Sequence, residues 1–109
     1  MYANVVYQKD VPWKTVDAGV RRRVLAYNEQ MMIVEVCFEE GGIGSVHTHP
    51  HLQSTYVQSG RFRFTIDGTA VEVSQGDTIA FPANIPHGTL CLQAGTLIDI
   101  FTPMRADFV

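Results

Sequence analysis

The chain has 109 residues, the size of one domain, and a formal net charge of −3. That charge, with its one basic run at Arg21 to Arg23, excludes a phosphate-backbone binder, because nucleic-acid affinity comes from clustered Lys and Arg that release counterions. A composition 46% hydrophobic and 17% charged excludes a disordered chain, and no apolar run reaches the roughly 18 to 20 residues of a membrane span.

The N-terminal stretch MYANVVYQKD lacks a basic start followed by an apolar core, so a cytoplasmic protein with Cys37 and Cys91 reduced is expected. Met31 to Phe38, MMIVEVCF, is apolar on both faces. Such a strand is covered on each side, here by a second sheet or by a partner subunit, which predicts a homodimer. The turn Glu39 to Gly42 follows. RFRFTI alternates Phe62, Phe64 and Ile66 with Arg61, Arg63 and Thr65, the period of two of a half-buried strand. Asp67-Gly68 is a hairpin turn, since both residues tolerate positive φ. AVEV, a turn at SQGD and TIAF come next, and the two prolines of PANIPHG exclude a central strand there. TLCL, a turn at QAG and TLIDIF complete the series. Short strands with Gly-rich turns and no helical stripe predict an all-β sandwich or barrel in one domain, residues 1–109.

The stretch SVHTHPHLQSTYV carries the chemistry. Residues i and i+2 of a strand share a face, so His47 and His49 can converge on one ion. Pro50 then bends the chain and leaves His51 or Gln53 as the next ligand. His87 follows the rigid loop FPANIPH. Tyr56 is a candidate pocket residue further along the same strand. Asp99 is the one charged residue of the apolar run TLIDIF, and a carboxylate there costs several kcal/mol unless paired or used by a site. Desolvation would let it exchange protons near neutral pH. Arg105, with one of Arg21 or Arg23, can grip a carboxylate bidentately; Arg23 is the residue carried forward as a substrate contact.

The spacing Gly41, His47, His49, Gln53, Gly60 resembles the first motif of the cupin superfamily, with Gln53 in the place of a glutamate. Gly76, Pro82 and His87 resemble the second, with Asn84 and Cys91 where glycine and asparagine are usual. The resemblance implies a jelly-roll β-barrel and one divalent transition metal held by His47, His49, Gln53 and His87. Three imidazoles and an amide leave the ion's charge uncompensated, which favours an anionic substrate and Lewis-acid chemistry. Nickel, iron, zinc, copper and manganese all stay open.

Trp13 near the start, the basic run before MMIVEV and the ending IDIFTPMRADFV extend the likeness to the small pectin-degradation cupins. These convert 4,5-unsaturated monouronates, released by pectate or alginate lyases, into linear keto sugars. The likeness implies that Asp99, Phe101 and Arg105 join the metal ligands in an anionic-sugar site, with the metal chelating the substrate and Asp99 moving the proton. A ferrous dioxygenase, or a metal-bearing sugar-binding module without turnover, would use the same barrel.

Overall fold

The computed structural model describes residues 3–109; Met1 and Tyr2, the start of the N-terminal stretch read above, lie outside the described residues. The chain forms β1 (Lys14–Asp17), β2 (Val20–Tyr27), β3 (Met32–Phe38), β4 (Ile43–His47), β5 (Leu52–Ile66), β6 (Thr69–Ser74), β7 (Thr78–Phe81) and β8 (His87–Thr102). Helix among the described residues is confined to two 3-10 turns, Gln8–Asp10 and Ala106–Phe108.

The sheet runs β1-β2-β3-β8-β5-β6, with β4 added to β8 and β7 to β5, and every pairing is antiparallel. The two longest strands, β5 and β8, pair along nearly their whole length; β8 also carries β3 and β4, and β5 carries β6 and β7. They can do so because they bend together. Register breaks occur between Val57 and Arg61, and Gly60 takes φ +83, a conformation with little penalty only for glycine. A Cβ at Gly60 would meet the Gln93 carbonyl at 2.5 Å, and one at Gly95 would collide with the Ser59 carbonyl.

That bend corrects one expectation. QAG is not a turn between two strands: Gln93, Ala94 and Gly95 lie inside β8, where they oppose the kink of β5. The Asp67-Gly68 hairpin stands as expected, with φ of 49 and 82. Asn84 shows why an asparagine serves where glycine is usual, because its φ is 63 and asparagine tolerates that region better than most residues.

Alternation sorts the side chains. On β5 the buried residues include Gln53, Thr55, Val57, Phe62 and Phe64, the phase shifting across the kink. Val20, Phe38, Val57, Phe62, Phe64, Phe81, Cys91 and Leu97 form the larger apolar cluster. Met32, Val34 and Phe101 form a second, against which Met104 and Phe108 of the C-terminal tail pack. The outer side of β3 is covered in part by the chain's own N-terminal segment: Arg23 Nε donates to Glu35 Oε1 at 2.6 Å, Arg23 also bonds the Gln8 and Val11 carbonyls, and its guanidinium lies 4.0 Å from the Trp13 ring centre.

Candidate metal centre and its cavity

Register explains how histidines forty positions apart meet. His47 at the end of β4 is the cross-strand partner of His87 at the start of β8, and His49 is buried in the loop just after β4. One ligand atom from each of His47, His49 and His87 lies within 4.8 Å of the others.

The ring hydrogen bonds fix what these imidazoles present. Nδ1 of His47 bonds the Ser45 carbonyl at 2.8 Å, Nδ1 of His49 the His51 carbonyl at 3.1 Å, and Nδ1 of His87 the Ile85 carbonyl at 2.8 Å. A carbonyl only accepts, so each Nδ1 donates and each Nε2 keeps a lone pair. Backbone carbonyls holding the far nitrogen are the usual support of a metal-ligating imidazole. Nε2 of His87 is buried with no hydrogen-bond partner among the described residues. Burial lowers the pKa values of His49 and His87, which keeps both neutral and fit to ligate.

Gln53 faces two ways. Thr55 Oγ1 donates its one proton to Asp99 Oδ1 at 2.6 Å, so it accepts from Gln53 Nε2 at 3.0 Å. Gln53 Oε1 is thereby turned to His49 Nε2, 2.9 Å away. With His49 neutral and Nδ1 donating, two lone-pair atoms confront each other without a proton between them, and a cation resolves the conflict. The donor set therefore fits a divalent transition metal. His51 does not join the cluster: its Nε2 bonds the Met104 carbonyl at 3.1 Å, tying the histidine loop to the tail.

The cluster opens into a cavity of about 480 Å³ whose lining includes His47, Gln53, His87, Asp99, Phe101 and Arg105. Asp99 forms no ion pair among the described residues; burial raises its pKa to about 6, against the opposing hydrogen bonds of Thr55 and Gln53. Phe101 packs edge-on to His49 with ring centres 5.6 Å apart. Arg105 is nearly buried and grips Asp107 with two bonds, Nε to Oδ1 at 3.1 Å and Nη2 to Oδ2 at 2.9 Å.

Two expected contacts are not brought to the cavity. Arg23 lies on the outer face in its ion pair with Glu35, because Val20, Arg22 and Val24 are the inward residues of β2. Tyr56 is 44% exposed, since Gln53, Thr55 and Val57 take the inner face of β5. The cavity holds instead Arg22, Asp107 and Phe108. The signal for Arg22 was present in sequence as its parity with Val20 and Val24.

The family described as cupin domain matches residues 34–101. The pectin degradation protein KdgF of Dickeya dadantii is 36% identical over 102 residues, 92% of this chain and 93% of that protein. An RmlC-like cupin from Shewanella frigidimarina superposes with a TM-score of 0.93 at 33% identity, covering 99% of this chain and 97% of that one. KdgF from Halomonas sp. superposes with a TM-score of 0.93 at 30% identity over 99% of this chain and all of its own.

Proposed function

The chain belongs to the cupin family, and we propose that it is a metal-dependent enzyme of pectin or alginate breakdown that converts 4,5-unsaturated monouronates into linear keto sugars. One observation carries the reading: Gln53 bonds Asp99 at 3.4 Å on one side and meets His49 at 2.9 Å on the other, which joins a proton-exchanging carboxylate to the imidazole cluster. The kinship with KdgF, named for pectin degradation, supports the substrate class.

The reaction is an isomerisation. Breaking the C1–O5 hemiacetal bond leaves an aldehyde at C1 and an enol at C5; the enol oxygen then loses its proton and C4 gains one, with no redox change and no water consumed. A divalent ion held by His47, His49, Gln53 and His87 would supply Lewis acidity toward substrate oxygens. Asp99 takes the enol proton and returns one to C4, a role that its pKa of about 6 supports. Arg105 contributes positive charge against the developing enolate. Phe101 forms the apolar wall that keeps water from the reacting carbon.

We further propose a cytoplasmic homodimer formed from one domain spanning residues 1–109. Ile33 opposes Ile100 and Tyr56 opposes Ile98 across the outer face of β3, β8 and β5, a set of apolar side chains suited to a second copy. The free thiols of Cys37 and Cys91 agree with a reducing compartment. Light scattering of a monomer at micromolar concentration would refute the dimer.

The test of function is incubation of the metal-loaded protein with unsaturated monouronates prepared with pectate or alginate lyase. Loss of the conjugated absorbance well above the spontaneous rate, without oxygen uptake, is expected. No acceleration with either sugar would leave a binding module, and stoichiometric oxygen consumption would make it a dioxygenase.

A further inference from the structure

Two guanidinium groups reach the cavity, those of Arg22 and Arg105, and their circumstances differ. Arg105 has its fork closed on the Asp107 carboxylate. Arg22 forms no hydrogen bond or ion pair among the described residues. Its guanidinium carbon sits 3.7 Å from the ring centre of Phe108, and that of Arg105 sits 4.2 Å from the same ring. Two cations thus share one aromatic side chain beside a single, already engaged carboxylate. Burial and the neighbouring Arg105 cation lower the pKa of Arg22, and the Asp107 carboxylate offsets them only in part.

From the proposed uronate chemistry, we infer that Arg22 is the specificity-determining anchor for the substrate carboxylate, with Phe108 setting the plane of its fork and Asp107 reserving Arg105 for the reacting end. Planar guanidinium matches a carboxylate with two parallel N–H···O bonds. The position is built by strand geometry: Arg22 pairs with Val36, which pairs with Leu97, so it lies one inward row from Val34 and Asp99. A carboxylate held there presents the sugar ring toward Asp99. The neighbours Arg21 and Arg23 cannot substitute, because both point outward onto Trp13.

The test compares wild type, Arg22→Gln, Arg22→Lys and the outer-face control Arg21→Gln, all metal-loaded. Steady-state turnover of unsaturated galacturonate should show KM raised roughly 10- to 100-fold in Arg22→Gln, kcat within about threefold, and no change in Arg21→Gln. Arg22→Lys, which keeps the charge but not the fork, should fall between. Calorimetry adds a readout independent of turnover: wild type should bind saturated galacturonate more tightly than neutral galactose, and Arg22→Gln should lose that preference. An unchanged KM and an unchanged preference for galacturonate in Arg22→Gln would overturn the inference. Absent turnover by wild type would remove the uronate reaction instead, leaving the calorimetric comparison to decide Arg22 alone.

Discussion

Replacing Asp99 with Asn should make the metal-free protein more stable and the loaded protein inactive. Burial raises Asp99 from 3.8 to about 6, a change of roughly two pKa units. At about 1.4 kcal/mol per unit, keeping this carboxylate ionised above pH 6 costs the fold about 3 kcal/mol. The sign follows from proton counting: between the two pKa values the folded chain binds more protons than the unfolded one, so stability falls as pH rises through that window. Asn is an uncharged stand-in for the protonated acid and can still accept from Thr55. Urea unfolding in chelator should therefore show Asp99→Asn about 3 kcal/mol more stable at pH 8, a gain that shrinks below about 1 kcal/mol at pH 4. For a chain of this size the pH 8 gain corresponds to a Tm increase on the order of 10 °C. Turnover of the loaded variant should drop about a hundred- to ten-thousand-fold. A destabilised variant at pH 8, or a gain equal at both pH values, would refute the account of Asp99 as a carboxylate kept charged at the fold's expense.

His87→Ala should lose the bound metal by elemental analysis, whereas His51→Ala should retain it, since His51 faces Met104. Gln53→Glu removes the amide donor to Asp99 and sets a second carboxylate beside it, so the metal-free variant should lose stability at pH 8 but much less at pH 5, read by urea unfolding. Gly60→Ala should cost several kcal/mol or abolish folding, because its Cβ meets backbone on β8 and its φ is +83. Glu35→Gln should destabilise by roughly 3 kcal/mol, since it strips the partner from an Arg23 side chain only 10% exposed; an unchanged denaturation midpoint would show that the N-terminal segment is not held by this pair.

Much of this arrangement was legible in the chain. The apolar run of Met31 to Phe38 and the period-two alternation of RFRFTI marked strands, and turn residues such as Asp67-Gly68 marked strand ends, because local sterics decide both. The histidine motifs were legible as a spacing, but not for the reason of strand alternation: β4 ends at His47 and His49 lies in the loop beyond it, so the loop and not a shared strand face brings the two imidazoles together. What local pattern could not supply is phase. RRR by itself reads identically in either register; the flanking Val20 and Val24 favour Arg22 as the inward residue, and the pairing of Arg22 with Val36 fixes it. Tyr56 failed likewise, since an aromatic residue suits either face of a strand. The continuity of β8 through QAG was hidden because Gly95 is there for a close approach to Ser59 rather than for a turn.

The glutamine at position 53 has a reason that neither motif nor composition supplies. A side chain in that place must offer oxygen toward the lone-pair nitrogen of His49 and also stand beside the Asp99 carboxylate. A glutamate serves the first need and fails the second, because it cannot donate to Asp99 and adds a like charge near it. An amide meets both demands at once, acceptor on one side and donor on the other. The neutral ligand leaves the ion's charge for the substrate, and the donated N–H moderates how far burial raises Asp99. One residue thus couples the electrophile to the proton-transfer group, and the Thr55 hydroxyl, with a single proton to give, sets which end of the amide faces which.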